Sequence, residues 1–231
     1  METPNRQPRI LTVVQCWDDG VTSDIRLTEI LRRNGAKATF NLNAGLHANG
    51  HDRGWRYKGT EVRRLGWNEM REVYRPFSIA NHSLTHPHLE TLSLPDAKRE
   101  IEEGRDRLEQ FFARTVRGFA YPFGTYNEDI KKLVRDAGHL YARTVVDVDA
   151  PFPPVDAMAF HPSCHFLSPD FWSRYDAAKH HGVFYFWGHS YELISDTMWQ
   201  TFEESIGRIS RDPDARWGNV TDLFLDGSDS S

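Results

Sequence analysis

The sequence lacks most features that mark disulfide-bonded, secreted or membrane-spanning proteins. Its two cysteines, Cys16 and Cys164, are too few for a disulfide framework, and we expect both thiols to be reduced. No segment approaches the ~20 consecutive apolar residues that cross a bilayer. The first residues contain no apolar stretch of the kind found in secretory signals. The sequence therefore predicts a cytoplasmic protein that has no membrane partner.

The chain also has no run of like charges. Its formal net charge is −5 and its isoelectric point is about 6.1. Proteins that bind nucleic acid usually carry a basic patch or stripe, so we expect no nucleic-acid partner. The composition does not indicate an oligomeric state.

Short apolar runs alternate with amphipathic stretches along the chain, which is typical of β-α units around a parallel sheet. We predict seven strands, over residues 10–16, 38–43, 77–81, 117–121, 140–146, 157–162 and 183–187. We predict helices over residues 23–33, 61–75, 95–112, 127–137, 169–180 and 197–210. Seven units in series without a linker favour a single α/β barrel domain over residues 1–225, complete or incomplete. An open doubly wound sheet is the alternative.

Three segments fall outside these units. Residues 46–60 and 147–156 form long predicted loops, and long loops in a compact domain often act as lids or binding loops. Residues 226–231 are predicted to form a flexible tail.

Two adjacent carboxylates follow the first predicted strand, in the sequence Cys-Trp-Asp-Asp-Gly at residues 16–20. The carboxyl ends of barrel strands are where enzymes of this architecture place catalytic groups. An ordinary Asp-Gly turn is the alternative interpretation. However, the apolar strand and Trp17 would draw Asp18 toward the interior, where an unpaired charge is costly. A metal or a catalytic partner would remove that cost.

Two histidines follow the third predicted strand. His82 and His86 are four residues apart, which would place both imidazoles on one face of a helical turn. In a chain with 11 histidines this spacing alone is a weak signal. If the first and third strands lie close, Asp19, His82 and His86 meet at one rim. Three protein ligands with an open fourth position are typical of a catalytic zinc site.

Two later strand ends reach the same rim. Pro122 and Gly124 predict a tight turn, in which the backbone N–H of Phe123 could face a developing oxyanion. An ordinary strand-to-helix turn is the alternative. The seventh predicted strand is followed by His189. A histidine at this position could protonate a leaving group, or it could be structural.

Taken together, these blocks resemble carbohydrate esterase family 4, the NodB-homology polysaccharide deacetylases. The first family motif, T-F-D-D-G, corresponds to residues 16–20, and the second, H-S/T-x-x-H, corresponds to residues 82–86. The third, R-x-P-Y/F, corresponds to residues 120–123, and a later L-x-H motif corresponds to residues 187–189. The resemblance extends from about residue 11 to residue 190. It implies a distorted (β/α)7 barrel.

The resemblance also implies roles for individual residues. Asp18 would be the general base and His189 the general acid. Asp19, His82 and His86 would bind a divalent metal, for which zinc is the first expectation and cobalt or another ion an alternative set by supply. The Phe123 N–H would complete an oxyanion hole.

The chain departs from the family motifs at two positions. The family Arg that orients the catalytic Asp is replaced by Ala120, and Arg143 on the next strand is a candidate substitute. The Leu of the L-x-H motif is replaced by Trp187, which would reshape the acyl pocket. No Asp that tunes His189 is evident, although Asp147 and Asp149 are candidates.

The sequence leaves three functional hypotheses. The first is deacetylation of an N-acetylated sugar or short glycan, with Trp17, Tyr121, Phe123 and Trp187 as aromatic contacts for the substrate. The second is hydrolysis of a small cyclic amide or ureide, which the substituted Arg and Trp187 favour. The third is a carbohydrate-binding module on a retired hydrolase scaffold, which only Ala120 supports.

Overall fold

The computed structural model describes residues 10–50 and 54–225, and within them β1 (Leu11–Asp18) forms the centre of a parallel sheet. Seven of its eight residues are buried, which suits a strand that is covered on both faces. The other strands in this part of the chain are β2 (Thr39–Leu42), β3 (Gly54–Tyr57), β4 (Thr60–Arg63), β5 (Ser78–Asn81), β6 (Gly118–Ala120), β7 (Tyr141–Arg143), β8 (Cys164–His165), β9 (Val183–Gly188) and β10 (Ala215–Trp217).

The main sheet has the strand order β7-β6-β5-β2-β1-β9-β8, with β10 also paired to β1. All of its strand pairs are parallel. Neighbouring strands lie ~4.8 Å apart, so a flat sheet would separate β1 from β7 by ~19 Å. Nevertheless, side chains of these two strands are in direct contact, because the sheet curls strongly. The predicted single-domain, distorted (β/α)7 barrel is confirmed.

The helices of the described residues pack around this sheet. They are α1 (Asp24–Arg33), α2 (Trp67–Val73), α3 (Leu94–Phe112), α4 (Glu128–Asp136), α5 (Phe171–Ala178) and α6 (Asp196–Arg211). Three of them begin at side-chain caps that the sequence provides. Ser93, Asn127 and Ser195 each accept a hydrogen bond from a backbone N–H of the first helical turn. The largest apolar cluster lies between helices and sheet.

Six predicted strands and all six predicted helices overlap elements of the structure, but residues 157–162 do not form a strand. Ala157–Ala159 is a short 3-10 helix instead, because the Asp156 side chain caps it by accepting from the Met158 N–H. Phe160 contributes only an isolated bridge to Arg143. The strand of this region is β8, which begins at Cys164.

The first part of the predicted helix 61–75 is also wrong. Residues 54–63 form the antiparallel hairpin of β3 and β4, and α2 begins only at Trp67. Lys58 and Gly59 both have positive φ angles, 45° and 85°, which suits a tight hairpin turn. The hairpin belongs to the long loop predicted at residues 46–60. The short strand β10 was not predicted.

The tail at residues 226–231 lies outside the described residues. Within residues 10–50 and 54–225, no helix has both the length and the apolar character needed to cross a membrane. Both cysteines are buried and free.

Candidate metal and catalytic site

Asp18 lies at the carboxyl end of β1, where several parallel strands end together. It is 2 % exposed, and its two oxygens have different partners. The Asn41 amide, directly across on β2, donates to Oδ1 at 2.6 Å. The Arg143 guanidinium donates to Oδ2 at 2.5 Å. The structure therefore fixes the orientation of this carboxylate from two sides.

Arg143 reaches Asp18 from β7, beside the β6 position at which Ala120 replaces the arginine of the third motif. In the pairing of β6 with β7, Arg143 lies directly opposite Ala120. The guanidinium is 1 % exposed, so its charge is almost wholly removed from solvent. Burial alone would raise the pKa of Asp18. The attraction of Arg143, of His82 and of His189 outweighs it and lowers that pKa well below its usual range.

Asp19 has a left-handed backbone, with φ of 83°. Such a conformation is costly for a residue other than glycine and often marks a functional site. Arg64 holds the segment by donating to the Asp19 carbonyl at 2.5 Å, and its guanidinium lies 3.6 Å from Oδ1. Oδ1 itself is buried and has no hydrogen-bond partner among the described residues.

His82 and His86 lie on a loop, so the predicted helical turn is wrong. Ser83 and His86 are both left-handed, with φ of 64° and 61°, which no helix could contain. The loop is held by Glu100 of α3, whose carboxylate accepts from the N–H and the hydroxyl of Thr85 at 2.7 and 2.6 Å. The two imidazole rings nevertheless meet, with their centroids 4.7 Å apart.

Asp19, His82 and His86 each present one ligand atom, and these atoms lie within 4.8 Å of one another. The His82 Nδ1 faces the Ala120 carbonyl at 2.8 Å and must carry the proton there, which leaves Nε2 as a free lone pair. Burial lowers the pKa of His82 to about 4, so the ring is neutral near pH 7. Together with the unpartnered Oδ1 of Asp19, this donor set fits a divalent cation.

His189 follows β9 and faces the carboxylates from the opposite side. Its Nε2 lies 3.8 Å from Asp18 Oδ2 and 4.0 Å from Asp19 Oδ2. Its Nδ1 lies 3.3 Å from Oε2 of Glu192. Burial alone would lower the pKa of His189, but the hydrogen bond to Glu192 and the carboxylates Asp18 and Asp19 outweigh it and raise that pKa.

The carboxylate that accepts hydrogen bonds from His189 in this structure is Glu192. Asp149, one sequence candidate, instead pairs with Arg174 at 3.1 Å, and its side chain is 83 % exposed. Asp147, the other, makes no hydrogen bond or ion pair to His189 within the described residues. Its pKa is raised by burial.

A cavity of about 410 Å³ joins these groups. Its other lining residues include Phe123, Arg143, Trp187 and Tyr191. The Trp187 ring lies over the Arg143 guanidinium at 4.6 Å. Phe123 has a left-handed backbone, with φ of 57°, and its half-exposed ring stacks on His88 with centroids 3.9 Å apart. The cavity therefore has an aromatic wall and an aromatic rim.

Two residues predicted to contact substrate have no exposed surface in this structure. Trp17 is fully buried, and its indole N–H donates to Gln15. Successive side chains of a strand face opposite sides, so Trp17 points into the core when Asp18 points into the site. Tyr121 adjoins the cavity but is fully buried, and its hydroxyl donates to the Met158 carbonyl at 2.8 Å. Neither aromatic ring is presented to a ligand.

Sequence reasoning missed six residues around the site. Asn41 was detectable, because an Asn inside a short buried strand is unusual. The others lie in a strand of two residues, in a short 3-10 helix, in a helix or on a loop, where no comparable pattern identified them. They are Arg64, Glu100, His165, Tyr191 and Glu192.

The family comparison agrees with this geometry. Residues 5–142 match the sequence model of the polysaccharide deacetylases. The chain belongs to the polysaccharide deacetylase family. The matched segment contains Asp18, Asp19, His82 and His86, whereas His189 lies beyond it. A comparison with curated proteins found no match.

Several solved structures share the fold of this family member. A Streptococcus pyogenes deacetylase, PplD, in complex with acetate is 22% identical, with a TM-score of 0.55, over 69% of this chain and 65% of that protein. A family 4 carbohydrate esterase from Streptomyces lividans in complex with acetate is 17% identical, with a TM-score of 0.57, over 90% and 91%. A Bacillus anthracis pseudoenzyme of the same esterase family is 17% identical, with a TM-score of 0.60, over 95% and 67%. At these identities the likeness shows the fold alone.

Proposed function

We propose that this protein is a metal-dependent hydrolase of carbon–nitrogen amide bonds that deacetylates an N-acetylated sugar or short glycan. One observation carries the proposal. Asp18 and His189 lie next to each other in the lining of the cavity, with 3.8 Å between Oδ2 and Nε2, beside the three ligand atoms of Asp19, His82 and His86. An acid, a base and a donor set that fits a cation are what metal-assisted amide hydrolysis requires.

Asp19, His82 and His86 would hold the cation. When bound, a divalent ion such as zinc supplies Lewis acidity, which polarises an acyl oxygen and makes water easier to deprotonate. Cobalt or another ion of similar preference would fit the same donors.

Asp18 would take the proton from the attacking water. Arg143 and Asn41 orient the carboxylate, and its lowered pKa keeps it ionised near neutral pH. A carboxylate with such a low pKa is a weak base. It would therefore need water whose own pKa a bound cation had lowered. The Phe123 N–H, in the left-handed turn at the rim, would donate to the developing oxyanion.

His189 would give a proton to the departing amine. An amine is a poor leaving group until it is protonated, so an amide hydrolase needs an acid on this side of the cavity. The raised pKa of His189 keeps more of the ring protonated near neutral pH than an ordinary histidine. Its Nε2 is the atom that faces the cavity.

The substrate class rests on the family and on the aromatic rim. The similar structures from Streptococcus pyogenes and Streptomyces lividans were obtained with acetate, the acid that deacetylation releases. The exposed Phe123–His88 stack offers a flat surface at the cavity mouth, which suits a sugar ring.

Trp187 favours a second candidate, the hydrolysis of a small cyclic amide or ureide. The indole replaces the family Leu and covers one side of the cavity. A cavity of about 410 Å³ also accommodates a small ring.

The experiment is a substrate panel with the metal content measured in parallel. Protein loaded with zinc or with cobalt is incubated with N-acetylated chito-oligosaccharides, N-acetylglucosamine and cyclic ureides, and acetate and ring-opened products are quantified. We expect one bound metal per chain and acetate from the oligosaccharides. Ring opening without acetate would replace the first candidate with the second. A chain that binds no metal would contradict both and favour a retired scaffold.

A further inference from the structure

We propose that His165, Glu192 and His189 form a hydrogen-bonded relay, in which His165 holds Glu192 and Glu192 positions His189 to protonate the leaving amine. The inference rests on the proposed function, because it assigns positioning residues to the proton donor of that reaction. His165 and Glu192 come from β8 and from the short 3-10 helix after β9, and neither belongs to a motif that the sequence provided.

One oxygen of Glu192 joins the three residues. Its Oε2 accepts from His165 Nε2 at 2.8 Å, from the His189 N–H at 3.0 Å and from His189 Nδ1 at 3.3 Å. Three donors from two strand ends leave this carboxylate oxygen little freedom to move. The position of the His189 ring is thus coupled to that of His165, 24 residues earlier in the chain.

The hydrogen bonds also fix which nitrogen of each ring carries the proton. The Leu167 N–H donates to Nδ1 of His165 at 3.2 Å, so Nδ1 is an acceptor and Nε2 holds the proton that Glu192 accepts. Glu192 in turn keeps a proton on Nδ1 of His189. A second proton on this ring must therefore sit on Nε2, the nitrogen that faces Asp18 and Asp19.

The surroundings cover most of the surface of the three relay side chains. The side chains of His165, Glu192 and His189 are 24%, 14% and 19% exposed. Gly188 makes this packing possible, because a Cβ there would lie 2.1 Å from the Phe166 ring and 3.3 Å from His165 Nε2. Burial raises the pKa of Glu192, but the two histidines outweigh it and lower that pKa to about 2. The carboxylate remains ionised between its partners.

A second metal site is the competing interpretation, because the ligand atoms of these three residues also lie within 4.8 Å of one another. However, Oε2 lies at hydrogen-bond distance from both rings, 2.8 and 3.3 Å. A cation would have to displace both hydrogen bonds and would occupy Nδ1, which orients the proton donor. The relay needs no such rearrangement.

The kinetic test uses substrates that differ in their need for an acid. An N-acetylated chito-oligosaccharide releases an amine, which must be protonated, whereas 4-nitrophenyl acetate releases a phenolate, which need not be. For metal-loaded Glu192→Gln we expect kcat on the amide to fall about 100-fold with KM changed less than about twofold, and kcat on the ester to fall less than about threefold. Equal losses on both substrates would indicate a merely structural role and overturn the relay.

A matched pair of variants tests His165. Gln can place an N–H where His165 places Nε2, whereas Leu cannot. We expect His165→Gln to retain amide turnover within about threefold and His165→Leu to lose about tenfold. Asp149→Asn is the control, because this exposed carboxylate pairs only with Arg174 in the described residues and should leave both substrates unaffected. If His165→Leu matches the wild type, His165 has no part in the relay.

Two readouts are independent of turnover. In ¹⁵N–¹H spectra of the imidazole rings we expect protons on Nε2 of His165 and on Nδ1 of His189, with the second signal shifted or lost in Glu192→Gln. Metal analysis of the zinc-loaded protein should find one equivalent, unchanged in His165→Leu. A second equivalent lost in that variant would overturn the relay and assign a metal site. If the wild type cleaves no amide, the proposed function fails, while the ring signals still decide whether the relay exists.

Discussion

The two sides of the cavity are built from the same residue types but arranged in opposite ways. Each has one carboxylate and two histidines: Asp19, His82 and His86 on the metal side, and Glu192, His165 and His189 on the proton-donor side. On the metal side, His86 Nε2 stands 3.9 Å from Asp19 Oδ1. On the proton-donor side, one oxygen of Glu192 accepts from both rings.

This difference in distance decides what each cluster can do. Groups that are not hydrogen-bonded to one another keep their lone pairs free, and a cation can be coordinated by them. Groups that are hydrogen-bonded to one another determine which nitrogen of each imidazole carries the proton, and such an arrangement suits proton transfer. The pKa values follow the same division, because that of His82 is lowered and that of His189 is raised. Residue type and proximity alone would not separate the two sides.

Asp18 lies between the two sides, and replacing it should have the largest effect on activity. Asp18→Asn keeps the size of the side chain but removes the base, and it leaves one acceptor oxygen in place of the two that accept from Asn41 and Arg143. We expect amide turnover to fall by at least about 1000-fold, with one equivalent of metal still bound, as measured by product release and elemental analysis.

His82→Gln is the contrasting variant, because it should lose the metal as well as the activity. Wild-type turnover in Asp18→Asn would refute the assignment of the base. Full metal content in His82→Gln would refute the assignment of the metal side.

Replacing Arg143 should have the next largest effect, and the effect should be on the stability of the fold. Arg143→Met leaves the buried Asp18 carboxylate without its cation, which costs about 3–5 kcal/mol in comparable buried pairs. Unfolding by urea at pH 7 would measure the loss. The double variant with Asp18→Asn removes both charges and should recover most of the lost free energy. If the losses of the two single variants simply add, the ion pair is not coupled and the 2.5 Å contact is not what holds Asp18.

The sequence predicted the metal side better than the proton-donor side, for a physical reason. Asp18, Asp19 and the histidines at 82 and 86 directly follow buried strands whose apolar runs are easily recognised. β8, in contrast, has only two residues, so no periodic pattern could indicate His165. Glu192 reads as an ordinary acidic residue near a helix start. The family match also ends at residue 142, before this side begins.

The errors in the fold have equally local causes. Residues 157–162 are mostly apolar and resemble a strand, but the Asp156 cap turns their first half into a 3-10 helix. Trp17 was assigned to the substrate because it adjoins Asp18 in sequence, although strand alternation places it on the opposite face. The sequence predicted that the fold is a barrel, but not how closely its strands approach one another. The contact of Arg143 with Asp18 depends on how strongly the sheet curls, which no local pattern encodes.

His139 is in a third kind of environment, because it is buried with no carboxylate nearby among the described residues. Its replacement should have an effect of intermediate size on stability. Burial lowers its pKa to about 3, whereas the unfolded chain should have a pKa near 6.5. Below pH ~6.5 the unfolded state therefore binds a proton that the folded state excludes. The free energy of unfolding decreases as the pH is lowered. We expect this residue to cost the wild type about 2 kcal/mol between pH 7 and pH 5.

Denaturant unfolding of the wild type and of His139→Gln at several pH values would measure this contribution. Gln can still accept from Asn81, whose amide lies 3.3 Å from His139 Nε2. The variant should be relatively more stable at pH 5 than at pH 7. A difference between the two proteins that is independent of pH would mean that His139 titrates normally in the fold.

Replacing Trp187 should have the smallest effect on activity. Its ring contacts residues of both sides of the cavity. It lies over Arg143 at 4.6 Å and against His165 with centroids 4.9 Å apart. Trp187→Leu restores the family residue and enlarges the cavity without leaving a new polar group unpaired, since the indole N–H has no partner among the described residues. Longer acyl groups should then fit better. We expect the kcat/KM ratio for N-butyryl over N-acetyl substrates to rise about tenfold, with the metal content unchanged. An unchanged ratio would place the acyl group elsewhere in the cavity and leave Trp187 as a packing residue between Arg143 and His165.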